Sequence, residues 1–449
     1  MIDLNIMTLR VRRILSFIFI VLFLSITPAI MLYAAGYRLG KNGFSVQRTG
    51  MFIIDSKPKG AKVFIDGDPQ EAWSSSMFNK KNFISTPAKI KNLLPGEYNL
   101  KIELDGYWSW QKKLTVNPGA STFAENIYLF KNNLPAQIAP ADIGSISLSP
   151  DKNQAVILSP DLITFLNLSD ESKKTTERNN LTGKNIFWSE DQSKIIIDNY
   201  LYLLADLNSA LDLKKLTPNS FNYKWSGNTL YYQDKNSIYQ LSSSNLPKKI
   251  IGNKIFNDYL VKNNYLYLII KSGSAVNLEV VDTATSQNLK NINLPAAPDY
   301  SFINPEQNLL NIYDKGHKIL YLIDPMSAYQ PLAEIINNVK TTFWTDSDNL
   351  LYINDFEIWL YNLSTKNKIL ITRISDTINS AILHSSRDYI IYSTGQTINA
   401  IELDEREKRN ITELIKFDSI SSFILTKDDI IYFSGKIGNS EGLYKFLIQ

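Results

Sequence analysis

The chain has 449 residues, of which 44% are hydrophobic and 20% are charged, so it is long and apolar enough for two or three domains with packed cores. Its 47 basic and 44 acidic residues are scattered along the chain and leave a net charge of +3, so we expect no nucleic-acid partner. With no cysteine and two histidines, His317 and His384, the sequence excludes disulfides, thiolate chemistry and a histidine-rich metal site, and we expect no metal and no cofactor.

The first predicted element is a membrane helix. Residues 14–35 contain no charged side chain, and about 20 apolar residues are needed to cross the hydrocarbon core of a bilayer. Arg10, Arg12 and Arg13 directly precede this run, so the positive-inside rule places residues 1–13 in the cytoplasm and the later domains outside it. We therefore expect a single-pass protein of the cytoplasmic (plasma) membrane that contacts the lipid bilayer through residues 14–35.

A cleaved signal peptide is the main alternative for this segment, because it shares the basic start and the apolar run. The run is longer than the roughly 7–15 residues of a signal core, and a cut after Ala34 would place the large Leu32 where a small side chain is preferred. A buried core helix is disfavoured because no polar face interrupts the run. We expect an uncleaved anchor that contains Pro28, a residue that can kink a membrane helix.

After a short polar tether, residues 36–49, the pattern changes to short alternating strands that predict a small antiparallel β-sandwich over residues 50–131. Pro58 and Gly60 form a turn between the first two strands, because Pro58 restricts φ and Gly60 permits a positive φ. The predicted strands are Met51–Asp55, Lys62–Asp66, Pro87–Ile90, Tyr98–Leu104, Gln111–Val116 and Thr122–Leu129.

Turn and strand residues follow one another in a recognisable order over this region. They are Gly50 to Ile54, Ser56, Pro58, Gly60-Ala61, Val63, Asp66-Gly67, Thr86-Pro87, Leu94-Pro95-Gly96, Tyr98, Gly106-Tyr107 and Leu129. This pattern resembles the PEGA domain, and the resemblance implies an accessory module of bacterial and archaeal surface proteins without enzymatic activity. Residues 69–85 form a longer segment than is usual at this place, and we interpret it as a loop that packs on a neighbour through Trp73, Met77, Phe78 and Phe83.

Residues 134–449 are periodic. Clear units begin at Ser147, Phe187, Lys224 and Phe343, and weaker ones occur near Tyr259, Phe302, Leu383 and Phe423. The first interval, from residue 147 to 187, is about 40 residues, which is the period of a four-stranded propeller blade. In each unit an aromatic or apolar residue precedes a turn with Ser or Thr and Asp or Asn, and apolar strands rich in Tyr and Leu follow.

The turn and aromatic pattern resembles the TolB-type, or PD40, propeller repeat at Trp188, Trp344 and Ser149-Pro150-Asp151. Eight starts are counted, although seven blades remain open if a middle unit is misassigned. The last unit has room for about three strands, and residues 134–138 are expected to supply its missing outer strand. The predicted fold class is mainly β: an N-terminal transmembrane helix, a small PEGA-like β-sandwich and a seven- or eight-bladed β-propeller.

The candidate catalytic residues of this chain are its two histidines and two pairs of acidic residues. His317 and His384 both lie in predicted turns, where exposure to solvent is the ordinary interpretation, and a triad needs a base within reach of a nucleophile. The acidic pairs Asp346 with Asp348 and Asp428 with Asp429 also fall in predicted turns, which favours hydrogen bonding over glycoside or calcium chemistry. The mixed-charge run of residues 402–409 is interpreted as a solvated loop or strand end rather than a docking patch. We expect no catalytic and no metal site.

Taken together, these features predict a membrane-anchored extracytoplasmic binding or scaffold protein of the bacterial cell envelope, with a protein or a cell-wall glycan as partner. A glycan or peptide hydrolase with a site at the axial channel of the propeller is the alternative, and an adapter of a transport or assembly complex is a third hypothesis. Convergent acidic side chains at the channel would favour the hydrolase, whereas an apolar, aromatic rim would favour a protein partner.

Overall fold

The computed structural model describes residues 9–40, 43, 45–71, 82–140, 145–151, 153–177, 185–241, 246–303 and 309–449. The chain divides into two compact units. Unit 1 comprises Met1–Asn133, Glu402–Thr412 and Gln449, and unit 2 comprises Leu134–Ile401 and Glu413–Ile448.

Unit 1 begins with helix α1, Leu9–Ala34, which has no polar face. Its segment Arg10–Ala34 is apolar and long enough to cross a membrane, and none of the most apolar 18-residue window is buried. The helix begins earlier than the predicted segment 14–35, because arginine is a good helix former and the basic residues before Ile14 continue the same helix. Pro28 lies inside α1.

Two strands pair within the predicted polar tether. Strand β1, Tyr37–Leu39, is antiparallel to β2, Val46–Arg48. The Thr49 hydroxyl donates a 2.7 Å hydrogen bond to the Gly36 carbonyl, which closes the base of the hairpin. Gly36 has a φ of +84°, a value that glycine adopts without steric cost, so this residue can turn the chain out of the helix.

Seven strands form the sandwich of unit 1. They are β3 Gly50–Lys57, β4 Lys62–Ile65, β5 Asp68–Pro69, β6 Ala88–Leu93, β7 Gly96–Glu103, β8 Trp110–Val116 and β9 Ser121–Tyr128. The strand order is β6-β3-β9 in one sheet and β5-β4-β7-β8 in the other. Alternate residues of β3 and β7, such as Phe52, Ile54, Leu100 and Ile102, fill the core between the sheets.

One pairing differs from the predicted antiparallel arrangement. Strands β3 and β9 are parallel, with Met51 opposite Ser121 and Ile54 opposite Ala124. Hydrophobic alternation predicts which face of a strand is buried, but it carries no information on the direction of the neighbouring strand. The sandwich is therefore mixed, with its first and last strands side by side.

The long segment between β5 and β6 is described only in part. Trp73, Met77 and Phe78, which the sequence suggested as packing residues, lie outside the described residues. Phe83 forms an isolated antiparallel bridge with Glu71, and its ring centroid lies 6.0 Å from the Lys62 ammonium nitrogen. The described end of the segment thus lies along the sheet that contains β4.

The described part of unit 2 contains eight four-stranded sheets and a short helix, α2, Leu213–Leu216. The first sheet consists of β11 Ser145–Leu148, β12 Gln154–Leu158, β13 Leu162–Asn167 and β14 Lys173–Glu177, and the second of β15 Ile186–Trp188, β16 Lys194–Ile197, β17 Tyr200–Leu203 and β18 Asp206–Asp212. The third sheet consists of β19 Phe221–Ser226, β20 Thr229–Gln233, β21 Ile238–Leu241 and β22 Pro247–Ile251, and the fourth of β23 Phe256–Lys262, β24 Tyr265–Ser272, β25 Ala275–Asp282 and β26 Asn288–Leu294.

The next three sheets keep the same sequential order. The fifth sheet consists of β27 Tyr300–Phe302, β28 Leu310–Asp314, β29 Ile319–Ile323 and β30 Leu332–Ile336. The sixth consists of β31 Thr341–Trp344, β32 Asn349–Ile353, β33 Glu357–Asn362 and β34 Asn367–Arg373. The seventh consists of β35 Ser380–Leu383, β36 Tyr389–Ser393, β37 Thr397–Glu402 and β38 Ile411–Lys416. The eighth sheet has the order β10-β41-β40-β39 and consists of β10 Ala136–Pro140, β39 Ser419–Leu425, β40 Ile430–Ile437 and β41 Ser440–Leu447.

The eighth sheet closes unit 2 in the predicted way. Strand β10 comes from the start of the unit and pairs as the outer strand with β41 from its end, with Gln137 opposite Tyr444. Because β10 covers the edge of β41, the last sheet has the same four strands as the others. The predicted closing strand near residues 134–138 is confirmed.

Buried clusters join each sheet to the next. Neighbours share apolar cores from the first sheet to the sixth. The sixth and seventh sheets meet through β32 and β35, and the seventh and eighth through β36 and β39. Tyr432 of β40 shares a core with Ala155 and Ile157 of β12, so the last sheet returns to the first. First strands of neighbouring sheets also contact one another, which places these strands at the centre of a propeller.

One turn recurs between the first and second strands of several sheets. The backbone N–H of its first residue donates to a carbonyl four or five residues later: Ser149 to Gln154, Ser189 to Lys194, Thr345 to Asn349, His384 to Tyr389 and Thr426 to Ile430. In the first two sheets the serine hydroxyl donates to the aspartate two residues on, at 2.6 and 2.7 Å. The Ser and Asp of the sequence repeat therefore build this turn.

Candidate functional site

His317 lies in the turn between β28 and β29, as expected. Its Nδ1 is 2.6 Å from Asp314 Oδ2, and the side chain is 58% exposed. Asp314 also accepts hydrogen bonds from the backbone N–H groups of Gly316 and His317. No serine is bonded to this ring among the described residues, so its one clear role is to close the turn with Asp314.

The expectation that His384 is exposed is wrong, because its side chain is completely buried. His384 Nδ1 lies 3.0 Å from Ser386 Oγ, and its Nε2 lies 3.1 Å from Asp429 Oδ1. The residue types match those of a hydrolytic triad, but a buried ring cannot reach a substrate. His384 occupies the position of Ser149 and Ser189 in the recurring turn, and this position faces inward in each of these sheets.

The paired acids also serve turns. Asp346 Oδ1 accepts hydrogen bonds from the backbone N–H groups of Asp348 and Asn349, at 2.9 and 2.8 Å. Partial burial tends to raise the pKa of Asp346, but hydrogen bonds from Asn349 outweigh it and the pKa is lowered. Asp428 and Asp429 lie in the turn before β40, and Asp429 accepts a bond from Ser385. Within the described ranges, no group of three or more metal-ligating side chains is present.

Residues 402–409 were interpreted as a solvated loop or strand end; Glu402 does end strand β37, but it is not solvated. Glu402 is 3% exposed and belongs to unit 1, where its carboxylate forms an ion pair with Lys112 of β8. The Lys112 side chain is completely buried. Glu402 also accepts hydrogen bonds from the Trp110 indole N–H at 2.8 Å and from the Asn410 backbone at 3.0 Å.

Further contacts within unit 1 extend this cluster. Lys112 Nζ donates to the Asp404 carbonyl at 2.8 Å. The Arg406 guanidinium bonds both carboxylate oxygens of Asp404 and donates to the Phe123 carbonyl at 2.7 Å. The sequence signal that was missed is Lys112 itself, which stands on the apolar face of β8 between Trp110 and Leu114. A lysine at a core-facing position requires a buried carboxylate nearby.

A second charged cluster lies on the central strands of unit 2. Asp258 of β23 accepts hydrogen bonds from Lys224 Nζ at 2.6 Å and Asn222 Nδ2 at 2.7 Å, both on β19. Its other carboxylate oxygen accepts from the Phe302 backbone N–H of β27 at 2.7 Å. Burial lowers the pKa of Lys224, and the Asp258 charge opposes this shift. This cluster joins three neighbouring sheets, and its carboxylate is occupied by donors.

Two cavities of about 540 Å³ open at one end of unit 2. The walls of both cavities include the turn between the second and third strands of a sheet and the link from one sheet to the next. Because consecutive strands are antiparallel, this turn and this link lie at the same end of unit 2. The Phe221 cavity is lined by Asn185, Phe187, Asp198, Asn199, Lys214, Ser220, Phe221, Asn222 and Tyr223. The Phe356 cavity is lined by Asn338, Asn354, Asp355, Phe356, Glu357, Arg373, Ile374 and Ser375.

In the Phe356 cavity the charged side chains are already paired. Glu357 accepts hydrogen bonds from Trp359 Nε1 at 2.9 Å, Asn354 Nδ2 at 2.6 Å and Arg373 Nε at 2.6 Å. The bonds from Trp359 and Asn354 lower its pKa, burial opposes them, and Arg373 adds to the lowering.

Asp355, on the same turn, is held in a similar way. It accepts a 3.2 Å hydrogen bond from Lys318 and lies 3.5 Å from Lys340 Nζ. The bond from Lys318 lowers the pKa of Asp355, with a smaller opposing effect of burial. The cavity therefore contains fixed, compensated charges.

Each cavity also has one strongly exposed aromatic ring. Phe221 and Phe356 are both 48% exposed. The sequence repeat places aromatic residues before the turns and within the strands of each unit, and it singled out neither of these two. The missed signal at Phe356 is its place in the turn sequence Asn354-Asp355-Phe356-Glu357, where packing does not require a ring.

Comparison with known proteins supports the two β domains. The PEGA domain family matches residues 74–128. No curated protein matches the chain in sequence. Among solved structures, this chain is similar to the C-terminal WD40 domain of Sif2. The identity is 13% over 71% of this chain and 99% of that one, and the TM-score is 0.51.

Two further solved structures are similar to this chain at lower TM-scores. The Dos1 propeller has 11% identity over 71% of this chain and 96% of that one, with a TM-score of 0.48. Dihydro-heme d1 dehydrogenase NirN in complex with DHE has 14% identity over 63% of this chain and 68% of that one, with a TM-score of 0.48. The predicted PEGA domain and propeller fold are confirmed by the family match and the Sif2 domain, whereas the finer TolB-type resemblance stays a prediction.

Proposed function

We propose that this protein is a membrane-anchored binding or scaffold protein of the bacterial cell envelope, with its sandwich and propeller outside the cytoplasm. The observation that carries the proposal is the combination of an exposed apolar helix with a propeller that has two ligand-sized cavities at one end. Cavities of roughly 300–1,000 Å³ are typical of small-molecule and glycan-sized ligands.

The membrane anchor is supported by the length and surface of α1. Its 25-residue segment Arg10–Ala34 extends about 37 Å at roughly 1.5 Å per residue, which exceeds the roughly 30 Å hydrocarbon core. Side chains such as Phe19 and Met31 are 71% and 68% exposed, and water would penalise such a surface. A lipid environment removes this cost.

The direction of insertion is supported by charge and by the domain that follows. Arg10, Arg12 and Arg13 lie at the N-terminal end of α1, and the positive-inside rule favours that end in the cytoplasm. The match to the PEGA domain family suggests an extracytoplasmic location for the sandwich. Both arguments support an outer location for the later residues.

Binding is favoured over hydrolysis by the state of the carboxylates. Asp258 is occupied by four donors, counting the N–H of Tyr259, at the centre of the propeller. In the Phe356 cavity, Asp355 and Glu357 have lowered pKa values, whereas a glycosidase needs one carboxyl with a raised pKa as general acid. The exposed Phe rings at the cavity end support a binding surface. The expected partner is a protein or a cell-wall glycan.

Photo-crosslinking in cells tests this proposal. A photoreactive amino acid at Ser375, which lines the Phe356 cavity, is expected to capture a partner or glycan. The matched control is Tyr329, which is 100% exposed in the link between β29 and β30 at the other end of the sheets. Crosslinks from position 375 alone support the proposal. Equal crosslinking from both positions, or none from position 375, contradicts it.

A further inference from the structure

We propose that the Phe356 cavity binds an uncharged sugar residue of a glycan. This inference rests on the proposed binding function and adds the chemical class of the ligand. Three observations converge at this cavity: compensated charges, side chains with unused polar groups and an exposed aromatic ring. Each is argued from residues of unit 2.

The compensated charges argue for a neutral ligand. Arg373 bonds Glu357 through both Nε and Nη2, and Asp355 lies between Lys318 and Lys340. A charged ligand would have to break one of these pairs or enter without a counter-charge, and either event costs free energy. A ligand with hydroxyl groups gains hydrogen bonds from the same side chains without disturbing the pairs.

Polar groups that a ligand can use also line the cavity. Asn338 and Ser375 are exposed, and neither side chain forms a hydrogen bond with the part of the protein that the structure describes. Asn338 provides an amide donor and acceptor, and Ser375 provides a hydroxyl group. Arg373 Nη1 forms no hydrogen bond to another described residue, so it adds a donor beside the Glu357 pair. Donors and acceptors of this kind match the alternating hydroxyl groups of a sugar.

The Phe356 ring supplies an apolar surface for the C–H face of the sugar. The residue follows Asp355 at the tip of the β32–β33 turn, and its backbone N–H is bonded to Asn354 Oδ1 at 2.9 Å. In this bond and in the donation from the Ile374 N–H to the Phe356 carbonyl, Phe356 takes part only through its backbone atoms. The turn therefore does not depend on the ring. The corresponding turn of the third sheet carries Asn236 at this place, and its backbone N–H is bonded to Asp234 Oδ1 in the same way.

The test uses the full chain in detergent micelles and a neutral probe, the tetrasaccharide of N-acetylglucosamine. Saturation-transfer NMR and calorimetry are expected to show binding. Phe356→Ala is expected to weaken it about tenfold, because it removes the apolar surface on which the sugar ring packs. The matched control is Phe123→Ala, which removes a 51% exposed ring from unit 1 and is expected to leave the affinity unchanged.

Two further probes distinguish the ligand classes. An anionic tetrasaccharide of galacturonic acid and a neutral tetrapeptide are both expected to bind at least about tenfold more weakly. Preferred binding of either one overturns the inference, as does equal loss in Phe356→Ala and Phe123→Ala. Because the assay uses purified protein, absence of tetrasaccharide binding overturns the inference on the sugar but leaves the proposed anchored binding function in place. That function is tested separately by crosslinking in cells, where equal crosslinking from positions 375 and 329, or none from position 375, contradicts it.

Discussion

The Lys112 ammonium group lies on the apolar face of β8 with no exposure to water, and its charge is balanced by the carboxylate of Glu402, with that of Asp404 3.5 Å away. Ion pairs of this kind contribute little net stability relative to an apolar pair of the same size, but removal of one partner leaves an isolated buried charge. The same carboxylate also accepts the Trp110 indole N–H. Glu402 therefore attaches residues 402–412 to the sandwich within unit 1 through two different donors.

Glu402→Ala is expected to lower the free energy of unfolding of unit 1 by about 3 kcal/mol, because Lys112 loses its buried partner. Urea denaturation followed by the fluorescence of the seven tryptophans, which include Trp110, measures this change. The matched control is Glu407→Ala, which removes an exposed acceptor of the Lys113 backbone N–H and is expected to cost less than about 1 kcal/mol. Similar losses in the two variants would contradict the role of the buried pair.

Glu357 gives unit 2 a defined dependence on pH. Hydrogen bonds from Trp359 and Asn354 lower its pKa below the ordinary value of 4.5, so the folded state binds the proton less readily than the unfolded state. Its contribution to stability is present above pH 4.5 and is lost as the pH falls through the lowered pKa. Glu357→Gln is therefore expected to destabilise the protein at pH 7 and to differ less from the native chain near pH 3. Thermal melts at both pH values measure this, and an equal difference at both would disprove it.

At the scale of elements, the closing strand β10 is the part of unit 2 whose pairing spans the greatest sequence distance, from Ala136 to Lys445. Its partner β41 would otherwise expose an edge of unpaired backbone groups. The strand is short, and the side chain of Gln137 adds a 3.0 Å hydrogen bond to the Glu441 carbonyl. Closure therefore depends on backbone pairing at a few positions.

The double variant Ala136→Pro with Gln137→Pro is expected to remove at least one backbone hydrogen bond between β10 and β41. Successive N–H groups of a strand point to opposite sides, so one of the two lost N–H groups faces β41. The melting temperature is expected to fall by about 2 °C or more. Leu134→Pro is the control, since Leu134 is 90% exposed and precedes β10. Calorimetry that shows equal melting temperatures for the two variants would argue against closure by β10.

The elements were predictable where local patterns decide them. Alternation located the sandwich strands, and the Ser-Asp turn located the propeller units, because both are properties of neighbouring residues. The parallel pairing of β3 and β9, the burial of His384 and the attachment of Glu402 to β8 depend on residues far apart in sequence. The Phe356 cavity was missed for the same reason, since Asn338 and Arg373 meet the turn at Phe356 only in the folded chain.

The protein comprises an apolar helix, a sandwich that contains the PEGA domain match and a propeller with two cavities at one end. The proposed anchor and the proposed binding face have separate consequences. Loss of α1 is expected to release the protein from the membrane, whereas loss of the Phe356 ring is expected to weaken ligand binding and leave the anchor intact.

Because the chain contains no cysteine, the location of the propeller can be measured directly with single introduced cysteines. A single cysteine is introduced as Tyr329→Cys, at a fully exposed position of unit 2, and a second variant carries Asn5→Cys before the helix. Both are treated with a membrane-impermeant maleimide in cells whose cytoplasmic membrane is intact. We expect position 329, outside the cytoplasm, to be labelled at once and position 5, inside it, only after lysis. Protection of position 329 until lysis would contradict it.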